Sequence, residues 1–326
     1  MASASKERTE NSAITPDPQG FRFSAALGYS LVAVFVVLCG YYVHSHRGEF
    51  AFLRSVSLLE TFAAGLLILL TFVVNVFQLK LFLGRFCPDL GYIELTALSG
   101  GSIMGNMIFP MRGGTAGLAV YLKKVHGLDF EAFAAIYGGT GLLVAFINTA
   151  LSLIGLALLA WLHGYTHPVL TVLVLGLFGV CLYLSVFPPP MAWKKRGVLG
   201  AVAGAANSWH LLARDRQLLL AAMVSFLFIS LALTLSLYLI YHALGMPLSF
   251  SAVIITSSLG NLANLVPITP GSLGVFDVVL IQLPQIFGLD PAHSIAATLV
   301  FRALTFLWAS VLGIPGLLYI VRRNRR

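Results

Sequence analysis

Long apolar runs, divided by short polar segments, dominate the chain. A helix that crosses a membrane needs about 20 mostly apolar residues. Among the runs of that length only two hold a charged residue, Glu60 near one end of its run and Arg302 inside the last one. The pattern therefore predicts full membrane spans at 24–43, 57–79, 132–161, 168–187, 217–243 and 293–320.

Two further apolar stretches are interrupted. Residues 92–126 hold an apolar piece, the break NMIFPMRGGT and a short helical piece, and residues 251–287 hold the same arrangement around NLVPITPGSLG. Proline and glycine at these breaks interrupt a continuous helix. Backbone groups freed by a break cannot face lipid, so they must be buried in protein or line a watery cavity. Each stretch is therefore predicted to form a broken re-entrant hairpin.

The two interrupted stretches also resemble each other. HGLDFEAFAA at 126–135 parallels FGLDPAHSIAA at 287–297, and each precedes a long apolar run. Chance is the alternative explanation, because Gly, Leu and Pro are common in this chain. Shared order and spacing favour an internal repeat, and they predict an all-α fold of about six full spans plus two broken re-entrant hairpins in an inverted repeat. The matched break residues are Asn106, Pro110, Gly113 and Gly114, and Asn264, Pro267, Pro270 and Gly271.

Composition favours a location in lipid. Hydrophobic residues make up 58% of the 326 residues and charged residues 10%, with a mean hydropathy of +0.91. A soluble domain carries about a quarter charged residues, and so few charges could not cover a protein of this size in water. The sequence therefore predicts a polytopic integral membrane protein with one transmembrane domain at 23–321.

The positive charges predict the orientation. The net charge is +8, and Lys and Arg gather at the chain ends and in a cluster at 194–196. Such residues mark the cytoplasmic side of a membrane, and this placement argues against nucleic-acid binding. We expect a disordered cytoplasmic N-terminus at 1–22, a basic cytoplasmic tail at 322–326, and a bacterial cytoplasmic (inner) membrane as the location.

Residues 192–213 follow a different pattern from the spans and the hairpins. Trp193, Val198, Val202, Trp209 and Leu212 can share one face of a helix. Such an amphipathic pattern predicts a helix lying in the membrane interface. A cytoplasmic loop with a short helix is the competing interpretation.

The two breaks also carry candidate chemistry. A new helix is predicted to begin near Thr115 and another near Ser272. Each helix start exposes unpaired N–H groups and a partial positive charge, so the pair favours binding of a phosphate or another anionic group. Thr115 and Ser272 are also candidate caps of these helices.

Arg112 lies within the first break. A guanidinium can hold a phosphate by two parallel hydrogen bonds. An interfacial anchor, with the charged end reaching toward water, is an equally good interpretation.

Other polar residues are predicted to lie at membrane depth. Charges there are costly and face a bundle interior or a cavity, so Asp277 and Arg302 are predicted to be partners, either structurally or along a headgroup path. Asn75, Asn106 and Asn264 are predicted to form hydrogen bonds between helices.

Catalytic and metal-binding motifs are missing from the sequence. It contains no GxSxG, no HExxH, no Gly-rich phosphate loop with Lys and no DxD-like acidic pair. Its cysteines form no CxxC, and His163 and His167 lie in a segment between two predicted spans. We therefore expect no enzyme activity, no metal and no cofactor.

At the two breaks the sequence resembles the transmembrane region of lysylphosphatidylglycerol synthases and related stand-alone flippase-like membrane proteins. The resemblance rests on NMIFPMRGGTAGLAVYLKKVHGL and PITPGSLGVFDVVL followed by Arg302, and the layout agrees over about residues 24–320. Pro110, Arg112 and Gly114 match a Pro-x-Arg-x-Gly-Glu motif, whereas Thr115 replaces its acid. Asp277 stands where a Glu is typical, and IYGGTGLL in the span after the first break lacks the family's usual charges.

The resemblance implies the lipid-translocating part of such proteins, without the soluble aminoacyl-transferase domain. The expected function is movement of an anionic or polyprenyl-linked lipid between leaflets. The expected partner is a membrane lipid, with an anionic headgroup. The resemblance is also compatible with a homo-oligomer, or with a lipid- or glycan-modifying enzyme as a protein partner. The alternatives are a non-transporting scaffold for such an enzyme and a membrane-embedded transferase. The predicted substrate-binding residues are Asn106, Pro110, Arg112, Gly113, Gly114, Thr115, Asn264, Pro267, Pro270, Gly271, Ser272, Asp277 and Arg302.

Overall fold

The computed structural model describes residues 56–109, 112–187, 214–246, 248–265 and 274–323, with isolated positions at 37, 41, 45, 200, 203, 204, 206, 207, 209 and 210. The predicted first span, the disordered N-terminus, the 192–213 helix and the basic tail lie wholly or mostly outside these residues. So do Pro110 and the break residues Pro267, Pro270, Gly271 and Ser272.

The described ranges form helices and no strand. The helices are α1 Leu58–Leu83, α2 Tyr92–Ile108, α3 Gly113–His126, α4 Phe130–His163, α5 Pro168–Val186, α6 Arg216–Ala243, α7 Phe250–Ala263, α8 Val275–Ile286 and α9 Pro291–Arg323.

Five of these helices are long and apolar enough to cross a membrane: α1, α4, α5, α6 and α9. They coincide with five of the six predicted spans. The two interrupted stretches form the pairs α2–α3 and α7–α8, which are too short to span individually, as predicted for broken hairpins. Large apolar side chains remain exposed along the helices, as expected for surfaces that face lipid.

Helices α1 and α6 run antiparallel. At one end the Ser57 N–H donates to the Ala243 carbonyl over 3.0 Å, and at the other end Arg85 forms an ion pair with Asp215. The hydrogen bond from Arg85 lowers the pKa of the Asp215 carboxyl below its usual value. Because α2 follows the end of α1 and α7 follows the end of α6, the two hairpins enter from opposite ends of this helix pair.

The helix contacts repeat around this antiparallel pair. Helix α2 of the first hairpin packs against α9, and α7 of the second hairpin packs against α4. In the same way α1 contacts α2 and α6 contacts α7. The order α1–α2–α3–α4 thus corresponds to α6–α7–α8–α9, and the structure confirms an inverted repeat.

Small residues bring α2 and α9 into backbone contact. A Cβ on Gly100 would lie 2.8 Å from the backbone carbon of Leu312, and one on Gly316 would lie 2.6 Å from the Cα of Ala97. In the other half, a Cβ on Gly155 of α4 would meet Ile255 Cγ1 at 2.8 Å. Close approach through small residues is a common way to join helices in lipid. Both hairpins are therefore held tightly against a long helix of the opposite half.

Candidate functional site

The tips of the two hairpins meet inside the bundle. Arg112 stands just before α3, and its Nη2 donates to the backbone carbonyl of Asn264 over 2.7 Å. Asn264 is the residue that ends α7. The Arg112 side chain therefore reaches across to the other half of the repeat, which argues against the interfacial-anchor interpretation.

Arg112 also has an uncommon backbone conformation. Its φ is 55° and its ψ is 46°, and it is the one described non-glycine residue with a positive φ. Non-glycine residues in this left-handed region carry strain that the surrounding structure must hold. The close α2–α3 crossing supplies that restraint, because a Cβ on Gly114 would lie 2.0 Å from the Ser102 carbonyl. The fold thus fixes the position from which the guanidinium extends.

Asn106 caps the first turn of α3. Its Oδ1 accepts from the Thr115 N–H over 2.9 Å, and its Nδ2 donates to Thr115 Oγ1 over 3.0 Å. The prediction that Thr115 caps this helix was wrong, because α3 begins at Gly113 and Thr115 is the third helical residue. A carboxamide from the preceding helix supplies the cap. The predicted bonds between helices are confirmed here and at Asn75, whose Oδ1 accepts from Ser99 over 2.9 Å.

The second tip contains the predicted ion pair. Arg302 Nε donates to Asp277 Oδ1 over 2.7 Å, and the Arg302 guanidinium carbon lies 4.6 Å from the centre of the Phe276 ring. The other carboxylate oxygen of Asp277 accepts from the Gly274 N–H over 3.1 Å, at the start of α8. Asp277 is only 1% exposed, so the two partners balance each other's charge at membrane depth.

A cavity of about 410 Å³, which we call the main chamber, lies beside the meeting tips. Of the predicted site residues, the side chains that line it are Asn106, Arg112, Thr115, Asn264 and Arg302. Gly113, Gly114 and Asp277 do not line it, since the glycines serve the helix crossing and Asp277 is buried behind Arg302. Apolar walls include Ile68, Phe72, Met107 and Leu118.

A second chamber of about 290 Å³ adjoins the main one. Arg112, Asn75, Tyr137, Asn261 and Asn264 are among the residues that line both. Because Arg112 belongs to both linings, the contact between the hairpin tips lies where the two chambers join. A headgroup in either chamber would be within reach of this guanidinium.

The sequence prediction missed several polar residues of these chambers. Thr71, Gln78, Ser99, Tyr137, Thr140, Asn148 and Asn261 all lie on apolar helices and line at least one chamber. Their signal in the sequence was that they are polar residues within apolar segments. A polar side chain is costly in lipid, so it is expected to face the interior of the bundle. It was too weak to use, because a polar residue that bonds to its own helix gives the same pattern.

The charges of the two linings have one sign. Arg112 and Arg302 are the charged residues that line the main chamber, and Arg112 is the one that lines the second. Arg302 is balanced by Asp277, whereas no ion pair within the described residues includes Arg112. The site therefore offers one unbalanced guanidinium, several amides and apolar walls, which suits an amphiphile with an anionic group.

The fold and this site define a polytopic helical membrane protein whose paired re-entrant hairpins border two chambers lined by polar and apolar side chains. The chain belongs to the family described as the lysylphosphatidylglycerol synthase TM region, whose model matches residues 24–313.

Relatives of the chain include three matches named UPF0104 membrane protein from Methanothermobacter thermautotrophicus. One is 26% identical over 255 residues, or 67% of this chain and 71% of the relative. A second is 28% identical over 126 residues and covers 38% of this chain and 37% of the relative. A third is 37% identical over 79 residues and covers 24% of each. The last two matches thus span well under half the length of the relatives, and the names of these relatives state no activity.

Proposed function

We propose that the protein binds an anionic or polyprenyl-linked membrane lipid between the hairpin tips and moves it from one leaflet to the other. The observation that carries this proposal is Arg112, a guanidinium at the junction of two chambers with no carboxylate partner among the described residues. A charge at membrane depth costs about 2.5–3.5 kcal/mol even on the mildest insertion scales. A lipid phosphate would offset that cost by forming two parallel, charge-assisted hydrogen bonds.

The local backbone supports an anion at the same place. Helix α3 starts at Gly113, directly after Arg112. Among the described residues, Asn106 is the one whose side chain accepts from an N–H group of the first turn, that of Thr115. A helix start carries a partial positive charge. The phosphate would therefore meet a guanidinium and a helix start from the same hairpin.

The contact between the tips suggests how binding is linked to movement. In the structure Arg112 donates to the Asn264 carbonyl. A phosphate that takes Nη2 as one arm of its two-bond contact would compete with the Asn264 carbonyl, so lipid entry would loosen the contact between the halves. Because the hairpins enter from opposite ends of the α1–α6 pair, loosening their contact would open a path between the two leaflets.

Orientation is part of the proposal. The basic clusters favour both termini in the cytoplasm of a bacterial cell, with the first hairpin entering from the cytoplasmic side. Single cysteines at Lys124 and Leu289, at the outer ends of the two hairpins, should be labelled by an impermeant reagent from opposite sides. Cytoplasmic labelling is expected at Lys124, and labelling of both from one side would contradict this arrangement.

Lipid movement is tested in vesicles that contain purified protein and fluorescently labelled phosphatidylglycerol. Arg112→Ala should slow movement by about tenfold or more, because a hydrogen bond to a charged group contributes about 1.5–3 kcal/mol. Arg112→Lys should slow it less, since Lys keeps the charge but loses the planar fork. The matched control is Arg85→Ala, which removes an exposed arginine that lines neither chamber.

Three other outcomes of that assay would contradict the proposal. Equal rates for folded wild type and Arg112→Ala would remove Arg112 from the path. Lipid binding without movement by the wild type would favour the scaffold. Conversion of the lipid to a new species, detected by mass spectrometry, would favour the transferase.

A further inference from the structure

The second chamber differs in character from the main one. Its described lining holds one charged side chain, Arg112, and a set of neutral polar side chains. These are Asn75, Gln78, Tyr137, Thr140, Asn148, Ser230, Asn261 and Asn264. No carboxylate belongs to this lining, so a positively charged group would find no partner of opposite charge there.

Gln78 is the most informative member of this set. It lies in the apolar helix α1, it is 3% exposed, and it lines the second chamber. Its Nε2 has no hydrogen-bond partner in the part of the chain that the structure describes. A buried amide without a partner destabilises the fold. A ligand oxygen that displaces the atoms now covering Nε2 would satisfy this donor.

An amide pair elsewhere in the lining, Asn148 and Asn261, supplies both donors and acceptors. Asn148 is anchored on α4, where its Nδ2 donates to the Val144 carbonyl over 2.8 Å. Its Oδ1 accepts from Asn261 Nδ2 over 3.2 Å, which fixes the Asn261 side chain at the boundary of both chambers. Hydroxyl groups both donate and accept hydrogen bonds, so they suit a wall built of carboxamides.

The repeat explains why this space exists. In the second half Asp277 and Arg302 are the third residue of α8 and the twelfth of α9, and they form the ion pair. The same positions of α3 and α4 are Thr115 and Gly141. A Cβ on Gly141 would meet nothing within 4 Å, and Gly141 lines the second chamber. The chamber therefore lies where the first half lacks the bulk and the charge of an arginine.

We propose that the second chamber is a subsite for a neutral, hydroxyl-bearing group attached to the phosphate that Arg112 holds. This inference rests on the proposed function and deepens it. It assigns the substrate to lipids with a polyhydroxylated headgroup, such as a glycerol, an inositol or a sugar, and it disfavours headgroups that end in an amine.

The test is a binding series in nanodiscs with four labelled lipids: phosphatidic acid, phosphatidylglycerol, phosphatidylinositol and phosphatidylethanolamine. Wild type should bind the two hydroxyl-bearing lipids more tightly than the other two. Gln78→Leu should weaken binding of phosphatidylglycerol by about three- to tenfold, the effect of one neutral hydrogen bond. Binding of phosphatidic acid, which lacks the hydroxylated group, should not change. Gln217→Leu is the matched control, because Gln217 is exposed at the start of α6 and lines neither chamber.

A second variant tests the subsite through a gain of binding instead of a loss of binding. Gln78→Glu places a carboxylate in the chamber and should move the preference toward phosphatidylethanolamine. Equal weakening of phosphatidic acid and phosphatidylglycerol by Gln78→Leu, or tighter binding of the amine lipid by wild type, would overturn the subsite. Failure of the proposed function is distinguishable, because Arg112→Ala would then leave binding of all four lipids unchanged.

Discussion

The two hairpins share one plan and differ in where their charges are paired. In the second hairpin the pair lies at the tip, where Asp277 meets Arg302. In the first hairpin the buried carboxylate lies at the base, where Glu94 accepts from Tyr121 over 2.6 Å and contacts His126 at 2.9 Å. The first tip therefore keeps Arg112 without a carboxylate, and the second tip is balanced.

This difference in charge pairing suggests which of the two hairpin tips can bind an anion. The repeat brings the two hairpin tips together, and each tip leads into the start of a helix. Each hairpin therefore has the backbone geometry of an anion-binding site. Arg302 is paired with Asp277, so it does not compete for an anion. Arg112 has no such carboxylate partner among the described residues and stays available to an anion. We therefore expect the two hairpins to differ in role, because the buried carboxylate lies at the tip of the second hairpin and at the base of the first.

The largest effect is expected at the contact that holds the first hairpin against α9. Gly100→Leu would drive a side chain into the backbone of α9 at Leu312, where a Cβ alone would come within 2.8 Å. Overpacking against side chains costs about 1–3 kcal/mol, and a backbone clash leaves less room to adjust. We expect loss of the folded, monodisperse protein in size-exclusion chromatography. Gly117→Leu is the control, since a Cβ there meets nothing within 4 Å, and equal behaviour of the two variants would contradict the close contact.

The next effect tests whether the second tip is internally balanced. Asp277→Asn and Arg302→Gln should each lower thermal stability in nanodiscs, because breaking a buried pair costs about 3–5 kcal/mol. The double variant should recover part of the loss, since it leaves no uncompensated charge. Strictly additive losses would show that the two side chains do not stabilise each other.

A smaller effect is expected from giving the first half the pairing of the second. Thr115→Asp combined with Gly141→Arg places the two charges at the matching positions of α3 and α4, and the open space at Gly141 accommodates the arginine. The new arginine should fill the second chamber and the new carboxylate should compete for Arg112. We expect a folded protein that binds phosphatidylglycerol about tenfold more weakly. Undiminished binding by this double variant would contradict the role of the asymmetry.

The sequence predicted the fold better than it predicted the site. The span 217–243 agrees with α6 to within one residue, because uninterrupted apolar runs and glycine-proline breaks are local signals. The ion pair of Asp277 and Arg302 was also predictable, since lone charges in lipid need a partner. The bond from Arg112 to Asn264 and the space beside Gly141 were not predictable, because both depend on how distant segments pack. The cap by Asn106 was missed for the same reason.

The most direct measurement of the central claim is native mass spectrometry of the protein extracted in mild detergent. The wild type and Arg85→Ala should retain a phosphate-bearing lipid. Arg112→Ala should lose most of it, and Arg112→Lys should retain an intermediate amount. Equal occupancy in wild type and a folded Arg112→Ala variant would contradict an anion site at the hairpin tips.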